Sequence, residues 1–262
     1  MDSVQISKVG PETQITLGDR RPIALYVWEW PVRLAHWLLV LSLVVLTLTG
    51  FYMHGPMLEA HSSRAWVMGT VRFIHECGGF FLIAVLILRL YWFVYAGNQW
   101  ATWRSFFPLR KRQWVGAVTM LSYYTFRRRE PDLVIGHNFL AAMTYLVIFS
   151  LLSIECLTGL ILFNGVSHEH VLGFFVGWIP QIIDIQYIRM MHFLIMFLFM
   201  AFLVHHVYSA VLVSLEEKNG LMESIFSGWK FVPRKLLDEE NDLLRSILAH
   251  SASKKESRRI HK

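Results

Sequence analysis

The sequence predicts an all-α fold, a polytopic membrane four-helix bundle with four transmembrane helices and both termini cytoplasmic. Three observations predict it. The chain of 262 residues is 55% hydrophobic and only 17% charged, where a soluble domain carries about 25% charged residues. Four runs are long and apolar enough to cross a hydrocarbon core about 30 Å thick. Lys and Arg are unevenly shared among the connecting segments, and the side that collects them is the cytoplasmic one.

The first run, residues 34–53, holds no Asp, Glu, Lys or Arg. Pro31 fits the first turn of its helix. The preceding residues are polar and mixed, and the run is too long for a signal-peptide core, so the first span is expected to be retained. Residues 1–30 read as an amphipathic segment on the cytoplasmic side. The second run, about 73–95, is interrupted by Glu76 and Arg89, and the third, about 133–163, contains Glu155. The fourth, 190–215, is again free of those charges. Residues 55–70 then form one periplasmic loop and residues 164–188 the other. The centre of the second loop, 171–183, is apolar enough to skim the membrane or meet a partner. Between spans two and three, residues 100–126 alternate aromatic and basic side chains. That pattern predicts an interfacial helix anchored by Trp103 and Trp114. The organisation read from the chain is thus a cytoplasmic segment (1–30), a membrane domain (31–215) and a charged cytoplasmic tail (216–262) whose end, from residue 251, is expected to be disordered.

Lys8, Arg20, Arg21 and Arg33 precede span one, seven arginines and lysines lie between spans two and three, and ten follow Leu215. The two opposite loops and their flanks offer only Arg64, Arg72 and Arg189. The net charge of +6 is mostly this bias, so the chain reads as a multi-pass membrane protein in contact with lipid and with no nucleic-acid partner. Cys77 and Cys156 both fall within spans and make no disulfide framework. No Cys-x-x-Cys-His occurs, which argues against covalent haem attachment.

Four of the twelve histidines lie near span ends: His36, His75, His192 and His206. His192 and His206 are fourteen residues apart, which on a helix returns to within roughly 40° of the same face about 21 Å further along. Spans one and three run outward, and two and four inward. His75 then shares the periplasmic level with His192, and His36 the cytoplasmic level with His206. Neutral imidazole is a good axial ligand for haem iron. Two level-matched pairs fit two bis-histidine haems, an arrangement suited to electron transfer. Any one of these histidines could instead only hydrogen-bond between helices. His205, thirteen residues after His192, points roughly 140° away from it, so His206 is the expected ligand. Arg33, Arg72 and Arg189 each stand three residues before one of these histidines, next to it on the helix surface. They are expected partners for haem propionates, or simply snorkel to headgroups. Gly50, Gly78, Gly79 and Gly159 leave room for a porphyrin or for close helix packing. Glu155, deep in span three, must be protonated or paired.

The segments Arg33-Leu34-Ala35-His36-Trp37, Arg72-Phe73-Ile74-His75 and Gly136-His137-Asn138 resemble the b-type cytochrome subunit of membrane-bound uptake NiFe hydrogenases, within the cytochrome b561-like group. His192, His206-Val207-Tyr208, and the stretch from Leu215-Glu216-Glu217 to Ser227-Gly228-Trp229-Lys230 continue the likeness, which covers about residues 26–231. The resemblance implies two haem b groups and a partnership with hydrogenase small and large subunits. It also implies electron flow from the distal iron–sulfur cluster of the small subunit to a membrane quinone. His137 and Asn138, opening span three, are the expected quinone contacts. No hydrogen-splitting site is expected in the chain itself. The same four-span scheme occurs in the cytochrome b subunit of formate dehydrogenases, so a formate or thiosulfate oxidoreductase partner stays open, as do a partnerless cytochrome b561 and a haem-free anchor.

Overall fold

The computed structural model describes residues 22–56, 66–98, 102, 111–129, 139–167, 170–234 and 237–238. Its elements run β1 (Ile23–Tyr26), α1 (Trp30–His54), α2 (Trp66–Tyr91), a π-helical turn (Trp92–Ala96), α3 (Lys111–Tyr124), α4 (Phe139–Ser167), α5 (His170–Val176), a 3-10 turn (Ile179–Gln181), α6 (Ile185–Glu217), α7 (Leu221–Ser227) and β2 (Trp229–Val232). Helices α1, α2, α4 and α6 are the four spans. α1, α2 and α6 begin four to seven residues before their apolar runs, and α1, α4 and α6 end one to four residues after them; residues 133–138 of the third run lie outside the described residues.

α1 packs mainly on α2, α4 on α6, and α2 also touches α4. The centre is an apolar cluster of Leu82, Leu152, Ile195 and Phe199, joined by Leu39, Leu43 and Leu46, to which all four spans contribute. Large apolar side chains such as Leu48, Ile87, Leu198 and Val204 remain exposed on the outside, as expected of a surface solvated by lipid tails. Pro31 sits in the first turn of α1, as its missing N–H permits. The carboxylate of Glu29, just before that turn, accepts hydrogen bonds from Trp92 Nε1 (2.8 Å) and the Asn98 backbone N–H (3.0 Å). The start of α1 is thereby tied to the π turn that ends span two.

Two short strands depart from the purely helical expectation. β1 pairs antiparallel with β2, Ile23 opposite Val232 and Tyr26 opposite Trp229. Residues 23–26, read from sequence as part of an amphipathic segment, are too few to show a period, and their partner is more than 200 residues away. The pairing places the segment before span one on the same side as the tail after span four, as an even number of spans requires. Gly228 closes this small cap: its φ is +87, and a Cβ there would lie 2.7 Å from the Trp28 carbonyl oxygen. Its own carbonyl accepts the N–H groups of Val27 and Trp28. Trp28 Nε1 donates to the buried Ser224 hydroxyl at 3.1 Å. Lys230 and Glu217 form a buried ion pair (3.4 Å) beneath the cap. Burial pushes the Lys230 ammonium below its usual range, and the Glu217 carboxylate pushes it back up.

Part of the stretch expected to form an interfacial helix is helical, as α3. Trp103 lies outside the described residues, and for Trp114 only the helical backbone is described. The second periplasmic segment is largely folded, with α5 and the 3-10 turn inside it. Val171, Phe174, Phe175, Trp178 and Ile182 are all exposed there.

Candidate haem-binding histidine pairs

The bundle brings the four histidines together two by two. His75 on α2 faces His192 on α6 with ring centroids 6.3 Å apart. His36 on α1 faces His206 on α6, also at 6.3 Å. With a metal–nitrogen distance of about 2 Å and the ring centroid roughly 1.1 Å behind the nitrogen, two imidazoles gripping one metal have centroids roughly 6 Å apart. Both gaps match a single interposed ion. His205 is exposed and its ring lies 6.4 Å from that of Tyr124 on α3, away from either pair.

The periplasmic pair is held from behind. Thr49 Oγ1 lies 2.8 Å from His75 Nδ1, and Thr158 Oγ1 lies 2.9 Å from His192 Nδ1. A threonine hydroxyl has one proton and two lone pairs. Thr49 gives its proton to the Val45 carbonyl at 2.7 Å, and Thr158 to the Ile154 carbonyl at 2.9 Å. Each hydroxyl is left to accept, so each imidazole donates Nδ1–H and keeps its Nε2 lone pair for a metal. Glu155 Oε1 stands 3.4 Å from the same His192 nitrogen. The deep carboxylate singled out in the sequence therefore sits behind a paired histidine. Glycines give these rings space: a Cβ on Gly50 would meet His75 Cε1 at 3.5 Å, and one on Gly159 would meet His192 Cε1 at 3.2 Å.

The cytoplasmic pair is built differently. His36 Nδ1 is buried with no hydrogen-bond partner among the described residues. His206 is more exposed and stacks on Phe202, with centroids 5.3 Å apart. The three arginines are spread out. The Arg33 guanidinium donates to the Phe226 carbonyl and lies beside the Tyr26 ring. Arg72 is exposed. Arg189 donates to Gln186 Oε1 at 3.1 Å. His137 and Asn138 lie outside the described residues.

A profile of the family described as prokaryotic cytochrome b561 matches residues 27–228. The chain belongs to the prokaryotic cytochrome b561 family. This membership makes it a b-type cytochrome of the bacterial inner membrane, one that binds haem without covalent attachment. Among similar proteins is a probable Ni/Fe-hydrogenase B-type cytochrome subunit from Rhizobium leguminosarum bv. viciae, 32% identical over 211 residues that cover 78% of this chain and 88% of the relative. A protein of the same description from Bradyrhizobium diazoefficiens is 30% identical over 87% of this chain and 97% of its own length. The probable Ni/Fe-hydrogenase 1 B-type cytochrome subunit of Escherichia coli K12 is 29% identical over 79% of this chain and 91% of its own length.

The residues of this b561 chain fit the haem that the family implies. The fit rests on the two matched ring gaps, the glycines beside the imidazole edges, and the orphaned His36 Nδ1. Sequence reasoning missed the two threonines. Each is a common helix residue, and its role appears only once the register between neighbouring helices is known.

Proposed function

We propose that this chain is the dihaem cytochrome b subunit that anchors a NiFe hydrogenase to the membrane. It carries electrons from the distal iron–sulfur cluster of the hydrogenase small subunit to the quinone pool. His75 and His192 hold the periplasmic haem, and His36 and His206 the cytoplasmic one. Bound haem supplies a one-electron Fe(III)/Fe(II) couple. The observation that carries the reading is the repetition of one ring separation, 6.3 Å, at two depths of the same bundle. With two histidines holding each haem, the bound group would serve as an electron carrier and not as a site of substrate chemistry. The names of the relatives support the hydrogenase partner.

The chain's own groups divide the work. Thr49 and Thr158 fix which imidazole nitrogen is free, and Gly50 and Gly159 keep the ring edges clear. Arg72 and Arg189 pair with propionates at the periplasmic side, and Arg33 adds a cation at the cytoplasmic side. The exposed apolar side chains of α5 and the following turn offer the hydrogenase subunits a docking face beside the periplasmic pair. His137 and Asn138 donate to a quinone carbonyl at the start of span three. Residues 31–215 carry both cofactors, with 1–30 and 216–262 as cytoplasmic flanks.

A pyridine haemochrome assay with protein quantitation tests the reading. Two b haems per chain are expected, falling to one in His192→Ala and in His206→Ala, and co-purification should retain hydrogenase subunits. One haem in the unaltered chain, or none, overturns it.

A further inference from the structure

Arg89 on α2 is only 3% exposed. Its Nε donates to the Tyr145 hydroxyl on α4 at 3.1 Å. The rings of Tyr145 and Phe93 lie 5.7 and 5.9 Å from the guanidinium carbon. Its Nη1 is buried with no hydrogen-bond partner among the described residues. No ion pair to Arg89 occurs among them either. A guanidinium cannot shed its charge, and a buried charge without a partner is costly. A chain that keeps one inside a membrane bundle has a use for the open donor.

The helix registers say where that donor sits. Thr49 is level with His75, and Leu46 with Gly78. Followed down the antiparallel pair α1–α2, His36 comes level with residues 88–89. On the other side, Thr158 is level with His192 and Gly159 touches the same ring. Followed down α4–α6, Tyr145 comes level with His205 and His206. Each span therefore contributes one side chain to the cytoplasmic level: His36, Arg89, Tyr145 and His206. Immediately beyond, α2 loosens into the π turn Trp92–Ala96, a deformation frequent at functional sites.

We infer that Arg89, positioned by Tyr145, forms an oxygen-binding site at the level of the His36–His206 pair, with the open Nη1 donating to a carboxylate or carbonyl oxygen. Two ligands share that chemistry, a propionate of the cytoplasmic haem and the head group of a membrane quinone. Arg33, the arginine expected there from sequence, is already engaged by the Phe226 carbonyl and the Tyr26 ring. This inference rests on the two-haem reading for its setting.

The test uses the full chain in lipid nanodiscs, with Arg89→Gln, Arg89→Lys and Tyr145→Phe. Haem per chain, the midpoint potential of each haem, and the kinetics of oxidation by decylubiquinone are measured. If the oxygen belongs to a propionate, Arg89→Gln lowers the potential of one haem only, the one lost in His206→Ala, because a nearby cation favours the reduced iron. Arg89→Lys keeps most of that potential. If the oxygen belongs to a quinone, both potentials stay and the apparent KM for decylubiquinone rises at least tenfold in Arg89→Gln, with kcat little changed. Tyr145→Phe gives a smaller change of the same kind. Unmoved potentials and unmoved KM in Arg89→Gln, with two haems still bound, overturn the inference and leave the two-haem reading standing. If Arg89→Gln does not assemble, Tyr145→Phe decides, since it removes the acceptor that positions Arg89 Nε: wild-type potentials and wild-type KM in that variant overturn the inference. Absence of haem from the unaltered chain removes the two-haem reading and this inference with it.

Discussion

Replacing Thr49 by valine keeps the shape of the side chain and removes the oxygen that accepts His75 Nδ1–H at 2.8 Å. A buried donor left unpaired costs about 1–3 kcal/mol, an upper bound here because the Leu46 carbonyl also lies within reach of this imidazole. Loss of an outer hydrogen bond to a metal-bound histidine typically weakens metal affinity about 10–100-fold, which is about 1.4–2.8 kcal/mol at about 1.4 kcal/mol per tenfold. The two figures agree, so Thr49→Val should weaken retention of the periplasmic haem by one to two orders of magnitude. Thr158→Val should do less. Glu155 Oε1 already stands 3.4 Å from His192 Nδ1 and takes over as acceptor, holding the loss to about 1 kcal/mol or below. A less basic imidazole donates less to ferric iron, so the midpoint potential of this haem should rise in Thr49→Val while that of the other stays. The assay is haem transfer to excess apomyoglobin, followed optically beside a redox titration, with Thr49→Ser as the restoring control. Equal haem retention in Thr49→Val and the parent chain refutes the reasoning. So does a larger effect from Thr158→Val than from Thr49→Val.

Gly159→Val places a branched side chain where even a Cβ would lie 3.2 Å from His192 Cε1. It should cost the periplasmic haem, while Gly79→Ala, with open space around it, leaves the spectrum intact; haem counts check both. His205→Ala should keep two haems where His206→Ala keeps one, since only the His206 ring faces His36. Lys230→Met removes the cation from the buried Glu217 carboxylate and leaves it the Asn219 amide as its donor. It should destabilise the β1–β2 cap by about 3–5 kcal/mol, read as faster amide exchange in residues 23–26 and 229–232 with haem content unchanged.

The four spans and the two histidine levels were legible in the sequence because both depend on distance along single helices. Apolar length counts residues against a bilayer, and the His192–His206 spacing needs only the helical repeat. Features that depend on the pairing of helices were not legible. Thr49 and Thr158 matter through antiparallel registers that no single run encodes. Arg89 was visible as an interruption of span two, and its level with His36 emerges only when α1 and α2 are laid side by side. Glu155, a lone carboxylate deep in span three, asks for a partner on sequence grounds, and the structure sets His192 Nδ1 3.4 Å from it. The cap escaped notice because its strands are four residues each and meet across nearly the whole chain.

Each chain is expected to grip two irons, each between two imidazoles. Electron paramagnetic resonance of the oxidised full chain at low temperature tests it most directly. Two distinct low-spin ferric signals of bis-imidazole type are expected, one lost in His75→Ala and the other in His36→Ala. A single signal in the unaltered chain, or high-spin iron at either site, contradicts it.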